Sequence, residues 1–146
     1  MAEVYKLGIT GDNNKKIQEV DSIEVIANKG VIGDRHFKDY NDPYCQLSLI
    51  ESENIDYYNT KYGLDISYVD FRRNVITKEI KLNNLIGKKF FIGKVQVEGI
   101  DLCRPCRHLT EMLNQENILK EFLRKGGLRC RILTSSKINI GDKIKI

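Results

Sequence analysis

Short runs in which apolar and polar residues alternate, each cut off by glycine after a few positions, dominate this chain and commit most of it to short β-strands. The last nine residues, Ile138-Asn139-Ile140-Gly141-Asp142-Lys143-Ile144-Lys145-Ile146, alternate strictly around a Gly-Asp pair. That is the two-residue period of a strand with one face buried. Leu128, Cys130 and Ile132 alternate in the same way with Arg129 and Arg131, and Ile23 and Val25 do so within the β-branched stretch Ile17 to Ala27. Val4 to Thr10 and Gln46-Leu47-Ser48-Leu49-Ile50 read as further strands. Leu82, Leu85 and Phe90 to Val97 form another strand-rich stretch, in which Gly93-Lys94 supplies a hairpin turn.

Only two segments break this period. Ser52 is placed to cap a helix whose Ile55, Tyr58 and Tyr62 share one face before Gly63 stops it. From Arg107 to Arg124 apolar residues recur three and four apart: Leu109, Met112 and Leu113, then Leu119, Phe122 and Leu123. This predicts one or two amphipathic helices, broken near Asn114 and stopped by Gly126-Gly127, with the stripe as core.

Many short strands with two helical insertions predict a mainly β fold, and closure into a barrel is the expected way to remove exposed edges. Strands and helices do not alternate regularly, which argues against a doubly wound sheet. The 146 residues suffice for one core, so a single domain over residues 1–146 is expected. Basic residues exceed acidic ones by 24 to 20, a net +4 spread along the chain without a long run of like charge. That balance favours anions but is not the footprint of a nucleic-acid binder. The N-terminus lacks the apolar core of an export signal, and no apolar run is long enough to span a bilayer. Four cysteines without such a signal favour a reducing compartment, and the cytoplasm is the expected location.

Reactive chemistry concentrates at Cys103-Arg104-Pro105-Cys106, followed by Arg107-His108. Two thiols three positions apart can ligate a metal, form a disulfide or present one activated thiolate. Pro105 suits a first helical turn, which would set Cys106 among free amide donors and between Arg104 and Arg107. Such surroundings stabilise a thiolate, so Cys106 is the better nucleophile or ligand of the two. A thioredoxin-like role would need a later proline, and none follows Pro105. Structural zinc would need a second pair of ligands at proper spacing. Cys45 and Cys130, each alone in an apolar strand, read as core filler. His108 is on the wrong helical face to serve Cys106, and His36 is the freer candidate base. Gly30 to His36 forms a shaped loop, and Arg72-Arg73-Asn74 sets two guanidiniums where a loop becomes a strand.

Taken in order, Gly33-Asp34-Arg35-His36, Gln46 to Ile50, Arg73-Asn74, Leu85-Ile86-Gly87 with Phe90 and Ile92-Gly93, Cys103 to Cys106, Gly126-Gly127-Leu128-Arg129 and Ile140-Gly141-Asp142 resemble the MOSC domain. This family comprises the C-terminal domain of molybdenum cofactor sulfurases and stand-alone bacterial relatives. The resemblance runs from about residue 4 to the end. It implies a closed β-barrel of complex topology, pyruvate-kinase-barrel-like, with a few short helices, and a cleft for the molybdenum cofactor, a pterin dithiolene bearing a phosphate. It carries the family's cysteine role to Cys106, as molybdenum ligand or as a sulfur carrier through a persulfide. Gly33, Asp34, Arg35, His36, Arg72, Arg73, Asn74, Cys103 and Arg129 are then the expected cofactor-binding residues, since phosphate and pterin edges call for guanidinium forks and backbone N–H groups. Expected partners are a sulfurase, a cofactor-biosynthesis protein or an electron-donor reductase, the last if the module reduces N-oxygenated substrates. The chain is too short for the additional N-terminal domain of longer relatives, or for a pyridoxal phosphate domain. Two rival readings are an anion- or nucleic-acid-binding barrel without catalysis and a thiol-disulfide redox protein.

Overall fold

The computed structural model describes residues 1–11, 16–104 and 107–146, with Arg107 and His108 described by their backbone alone. The chain forms β1 (Glu3–Ile9), β2 (Gln18–Val20), β3 (Ser22–Ile26), β4 (Gly30–Val31) and β5 (Leu47–Glu51), followed by α1 (Ser52–Tyr62). After a 3-10 turn at Tyr68–Phe71 come β6 (Val75–Lys78), a second 3-10 turn at Leu82–Leu85, β7 (Lys89–Ile92) and β8 (Val95–Leu102). Then follow α2 (Arg107–Leu113), α3 (Ile118–Glu121), β9 (Leu128–Ile132), β10 (Ser136–Asn139) and β11 (Ile144–Lys145). The fold is mainly β with few helices, as the alternation predicts. Among the described residues no helix is long and apolar enough to cross a membrane.

Eight strands form one sheet in the order β11-β7-β8-β9-β5-β6-β1-β2, and β10-β3-β4 form a second. Two stretches that read as continuous, the β-branched run Ile17 to Ala27 and the alternating C-terminal run, are in fact pairs of strands. Ile17 to Ala27 turns at Asp21, and the C-terminal run turns at Gly141, so each sends one strand to each sheet. The sheets are therefore laced together twice. The larger one is an open half-barrel, which corrects the expected closed barrel. Its edges meet over one short stretch, where Glu3 bridges Lys143, the Val4 N–H donates to the Asp142 carbonyl at 2.9 Å, the Gly141 N–H to the Val4 carbonyl at 2.8 Å and the Ile144 N–H to the Ala2 carbonyl at 3.0 Å. Closure stops there because β2 occupies the other half of β1, through Leu7 to Ile9.

Strand alternation sorts the side chains into two cores. Leu47 and Leu49 of β5, Val75 of β6 and Leu128, Cys130 and Ile132 of β9 face one cluster, shared with the small sheet. Ile50 and Ile76 point the opposite way, into a second cluster beneath the helices with Ile55, Tyr58, Phe71, Leu109, Ile118 and Phe122. β5 and β6 are parallel, so a crossover is required, and α1 with the first 3-10 turn supplies it.

The helical segments differ from expectation in phase. Ser52 is the first helical residue and buried; Glu51 holds the cap position without a side-chain cap, whereas Gly63 ends the helix at φ 62° as predicted. Leu82 and Leu85 are buried in a 3-10 turn, not a strand. The chain does break at Asn114, φ 54°. Because α3 restarts after that break, its inward residues are Ile118 and Phe122, while Leu119 and Leu123 are 45% and 69% exposed. The outer half of the expected core stripe is therefore surface.

Candidate functional site

The site grows from the same alternation. In β9, Leu128, Cys130 and Ile132 face the first core, so Arg129 must emerge on the opposite face. Ser48 of β5 is its cross-strand partner. These two polar residues interrupt the apolar floor of the second core, and a cavity of about 240 Å³ opens above them.

Three segments wall the cavity. The first is the loop at Asp34, whose buried carboxylate organises the backbone. Its Oδ1 accepts from the Thr10 N–H at 3.2 Å and its Oδ2 from the His36 N–H at 3.3 Å, while the Arg35 N–H donates to the Thr10 carbonyl at 2.7 Å. Gly33, at φ +84°, makes the turn. Arg35 and His36 line the cavity; Gly33 and Asp34 are not among its lining residues.

The Arg35 side chain is only 10% exposed. One guanidinium nitrogen donates to the Arg72 carbonyl at 3.5 Å; the other, NH1, lies 3.6 Å from Asp34 Oδ1 and has no hydrogen-bond acceptor. A buried donor without an acceptor costs about 1–3 kcal/mol, and a bound anion would remove that cost. Burial holds the Arg35 guanidinium below its ordinary pKa; Asp34 opposes this, and Arg72 and Arg73 add to it.

The second wall is Arg72-Arg73-Asn74. Arg72 is 5% exposed and takes the left-handed conformation, φ 65°, as it ends the first 3-10 turn. Such strain, on the order of 1–3 kcal/mol, is tolerated where the surroundings fix it. Arg73 donates through Nε to the Gly126 carbonyl at 2.9 Å. Asn74 joins three segments: Nδ2 donates to the Gly8 carbonyl at 3.1 Å, Oδ1 accepts from the Ser48 N–H at 3.2 Å, and its own N–H donates to Ser48 Oγ at 3.2 Å.

The third wall leaves the end of β8. Cys103 is buried and lines the cavity with Arg104, and its N–H donates to the Gly127 carbonyl at 2.7 Å. This neck admits no side chain: a Cβ on Gly126 would sit 2.6 Å from the Cys103 carbonyl oxygen, and one on Gly127 1.9 Å from that of Leu49. Cys106, on which the expected thiolate rests, lies outside the described residues.

Seven of the residues singled out from sequence thus meet at one cavity: Arg35, His36, Arg72, Arg73, Asn74, Cys103 and Arg129. Tyr44, Cys45, Leu47, Ser48, Arg104 and Leu109 join them. Cys45 is a correction. It lines the cavity instead of filling the core, because Asp42 and Tyr44 turn the chain just ahead of β5. Burial and the nearby Asp42 push its thiol up, so it is protonated at neutral pH. Cys130 is core, as expected, and burial raises its thiol further. His36 is lowered, first by burial and then by Arg35, which leaves a neutral imidazole at the wall.

Among the described residues five arginines, Arg35, Arg72, Arg73, Arg104 and Arg129, line this space, and no Asp or Glu does. Among the described residues no group of three or more His, Cys, Asp or Glu could hold a metal ion. The cavity suits an anion with several oxygens, held by guanidinium forks.

Solved structures share the fold. The YUAD protein from Bacillus subtilis superposes with a TM-score of 0.83 at 18% identity, over 98% of this chain and 93% of that one. YiiM from Geobacillus stearothermophilus gives 0.79 at 15%, over 99% and 74%. YiiM from Escherichia coli gives 0.70 at 18%, over 99% and 67%. No curated protein matches the sequence at a significant level. The family model for the MOSC domain matches residues 33–145, from the Asp34 loop through the strands, the arginine walls and the Cys103 neck, and the chain belongs to that family.

Proposed function

We propose that this protein binds the molybdenum cofactor in the arginine-lined cavity and uses Cys106 as metal ligand or sulfur carrier. The observation that supports the reading most directly is the buried Arg35 NH1, which lacks an acceptor in a wall of five guanidiniums. The donor set fits an anionic pterin: Arg35, Arg72, Arg73 and Arg129 offer forks to phosphate and to pterin oxygens, and Ser48 adds a hydroxyl. When bound, the cofactor supplies a soft metal centre that accepts thiolate. The chain's own work is to orient it: Asp34 fixes Arg35, Asn74 ties β5 to β6, and the Gly126-Gly127 neck anchors the segment carrying Cys103. His36, held neutral by burial and by Arg35, offers a hydrogen-bonding imidazole at the cavity wall. A cytoplasmic location would keep these thiols reduced. The partner in this reading is a sulfurase or cofactor-biosynthesis protein if sulfur is carried. It is an electron-donor reductase if N-oxygenated substrates are reduced.

The test is metal and pterin analysis of protein purified from a host that makes the cofactor. Molybdenum and oxidised-pterin fluorescence should co-purify in equal amounts, and Arg35→Ala or Arg129→Ala should lose both. Protein that carries neither, yet binds inorganic sulfate, would reduce the reading to an anion-binding module. Full cofactor and full activity in Cys106→Ser would remove the cysteine's role, and no turnover of hydroxylamines by loaded protein with reductases supplied would remove the enzymatic version.

A further inference from the structure

We propose that the outer face of α3, with the adjoining face of α1, is a docking surface for an acidic protein. The phase shift in α3 turns Leu119 and Leu123 outward, and Tyr57 of α1 is 55% exposed beside them. Lys125, four residues beyond α3, has its Nζ 5.0 Å from the centre of the Tyr57 ring, and Lys61 and Tyr62 donate to Glu121, which joins α1, α3 and the chain after it into one surface. Lys81, Lys120, Arg124 and Lys125 surround it, and none of these is ion-paired among the described residues. Among the described residues the salt bridge of this face is Lys61 to Glu121 at 2.8 Å, where Tyr62 also donates, while Lys120 acts on the same Glu121 and Lys81 on Glu51 at longer range. A small apolar centre ringed by four cations outside any salt bridge among the described residues is the layout of a protein interface that selects a negatively charged partner.

A depression of about 240 Å³ in this face separates the candidate ligands. Lys81, Arg124 and Lys125 stand around it, and Asn83 fixes its wall by donating to the Arg124 carbonyl at 2.9 Å. Glu51, only 8% exposed, also lines it. A free phosphate settling there would meet that carboxylate. Carboxylates on a large surface stay at the rim with the cations and avoid it. Nucleic acid fits less well, because the face offers one aromatic ring and no stacking series. A membrane would need a longer amphipathic helix than the single turn of α3.

The face is also close to the cavity along the chain. Arg124 and Lys125 directly precede Gly126, whose carbonyl Arg73 holds, and the same excursion from β8 to β9 carries Cys103. A partner docked here contacts the piece of chain that builds one cavity wall.

The test uses the full chain and a labelled Asp/Glu-rich peptide of about twenty residues, the size of one side of a standard interface, with a central Leu-Phe pair. Fluorescence anisotropy should show it binding at least about tenfold more tightly than poly-glutamate of equal length, and about tenfold more weakly to the Arg124→Glu/Lys125→Glu double variant. Leu123→Ser should weaken it severalfold. All three positions are at the surface, and circular dichroism confirms the fold of each variant. Affinity unchanged by the double variant would place the peptide elsewhere, such as on the cavity arginines, and overturn the proposal. So would equal affinity for poly-glutamate, or tighter binding of oligo-dT or of phosphatidylglycerol vesicles.

Discussion

Single side chains decide both the stability of the site and its charge. Asn74 is buried and serves Gly8 and Ser48 at once, so Asn74→Ala strands several buried groups. A loss on the order of 2–3 kcal/mol is expected in urea unfolding, with little change in the slope. His36 gives two pH effects of opposite sign. Its pKa is lowered from 6.5, so over the interval below that value the unfolded chain binds a proton that the folded chain refuses. The contribution is intact above pH 6.5 and is lost as pH falls through the folded pKa. Once protonated, however, His36 adds a cation to the cavity, so sulfate affinity should rise as pH falls through the folded pKa. His36→Gln should flatten both curves, measured by unfolding and by calorimetric titration across a pH series. The arginines and His36 were legible in sequence because they sit inside the short ordered motifs that carry the family resemblance, in the β4–β5 loop, ahead of β6 and within β9. Ser48 and Cys45 were not. Each is one small residue within or beside an apolar run, and only the strand register shows that Ser48 faces Arg129.

At the scale of elements, period-two alternation located the strands well because it is a local property of the chain. It could not show that one alternating run would divide between two sheets, since that depends on a turn at Asp21 or Gly141 and on which neighbour is free to pair. The phase of α3 was equally hidden: a helix restarted after Asn114 keeps no memory of the stripe before it. The neck at Gly126-Gly127 was read as a helix stop, yet its stricter role is close approach. Gly127→Ala would drive a Cβ to 1.9 Å from the Leu49 carbonyl oxygen at φ +111°, where β5 and β9 meet. Gly63→Ala meets nothing within 4 Å and only the strain of φ +62°. The first should cost more than about 4 kcal/mol and yield little folded protein, the second only about 1–2 kcal/mol. Soluble yield and melting temperature of the two variants, side by side, separate close approach from backbone strain.

Across the whole molecule, the half-barrel supplies rigidity and the second core holds the helical excursion over the cavity. Phe122 packs against Phe71 and Tyr58, with ring centres 4.9 and 5.3 Å away, and Leu109 of the same cluster lines the cavity. Ile92 of β7 is equally buried but belongs to the first core and is not a lining residue. Truncation to alanine should cost about 3–5 kcal/mol for Phe122 and about 2–5 kcal/mol for Ile92, so stability alone does not distinguish them. Anion binding does. A ligand bound only by the folded state stabilises it by RT ln(1 + [L]/Kd), about 1.4 kcal/mol at ten times Kd, which for a chain of this length is about 3–5 °C in melting temperature. The intact protein should gain that increment in low sulfate over chloride of equal ionic strength, and Arg129→Ala should lose it. Ile92→Ala should keep the increment at its lower melting temperature, because the first core does not shape the cavity. Phe122→Ala should lose most of it, as the excursion carrying Cys103 and Arg104 comes away from the arginines of the other two walls. An increment kept by Phe122→Ala would mean that the Arg35 and Arg72-Arg73 walls, with Arg129, form the anion site without the third.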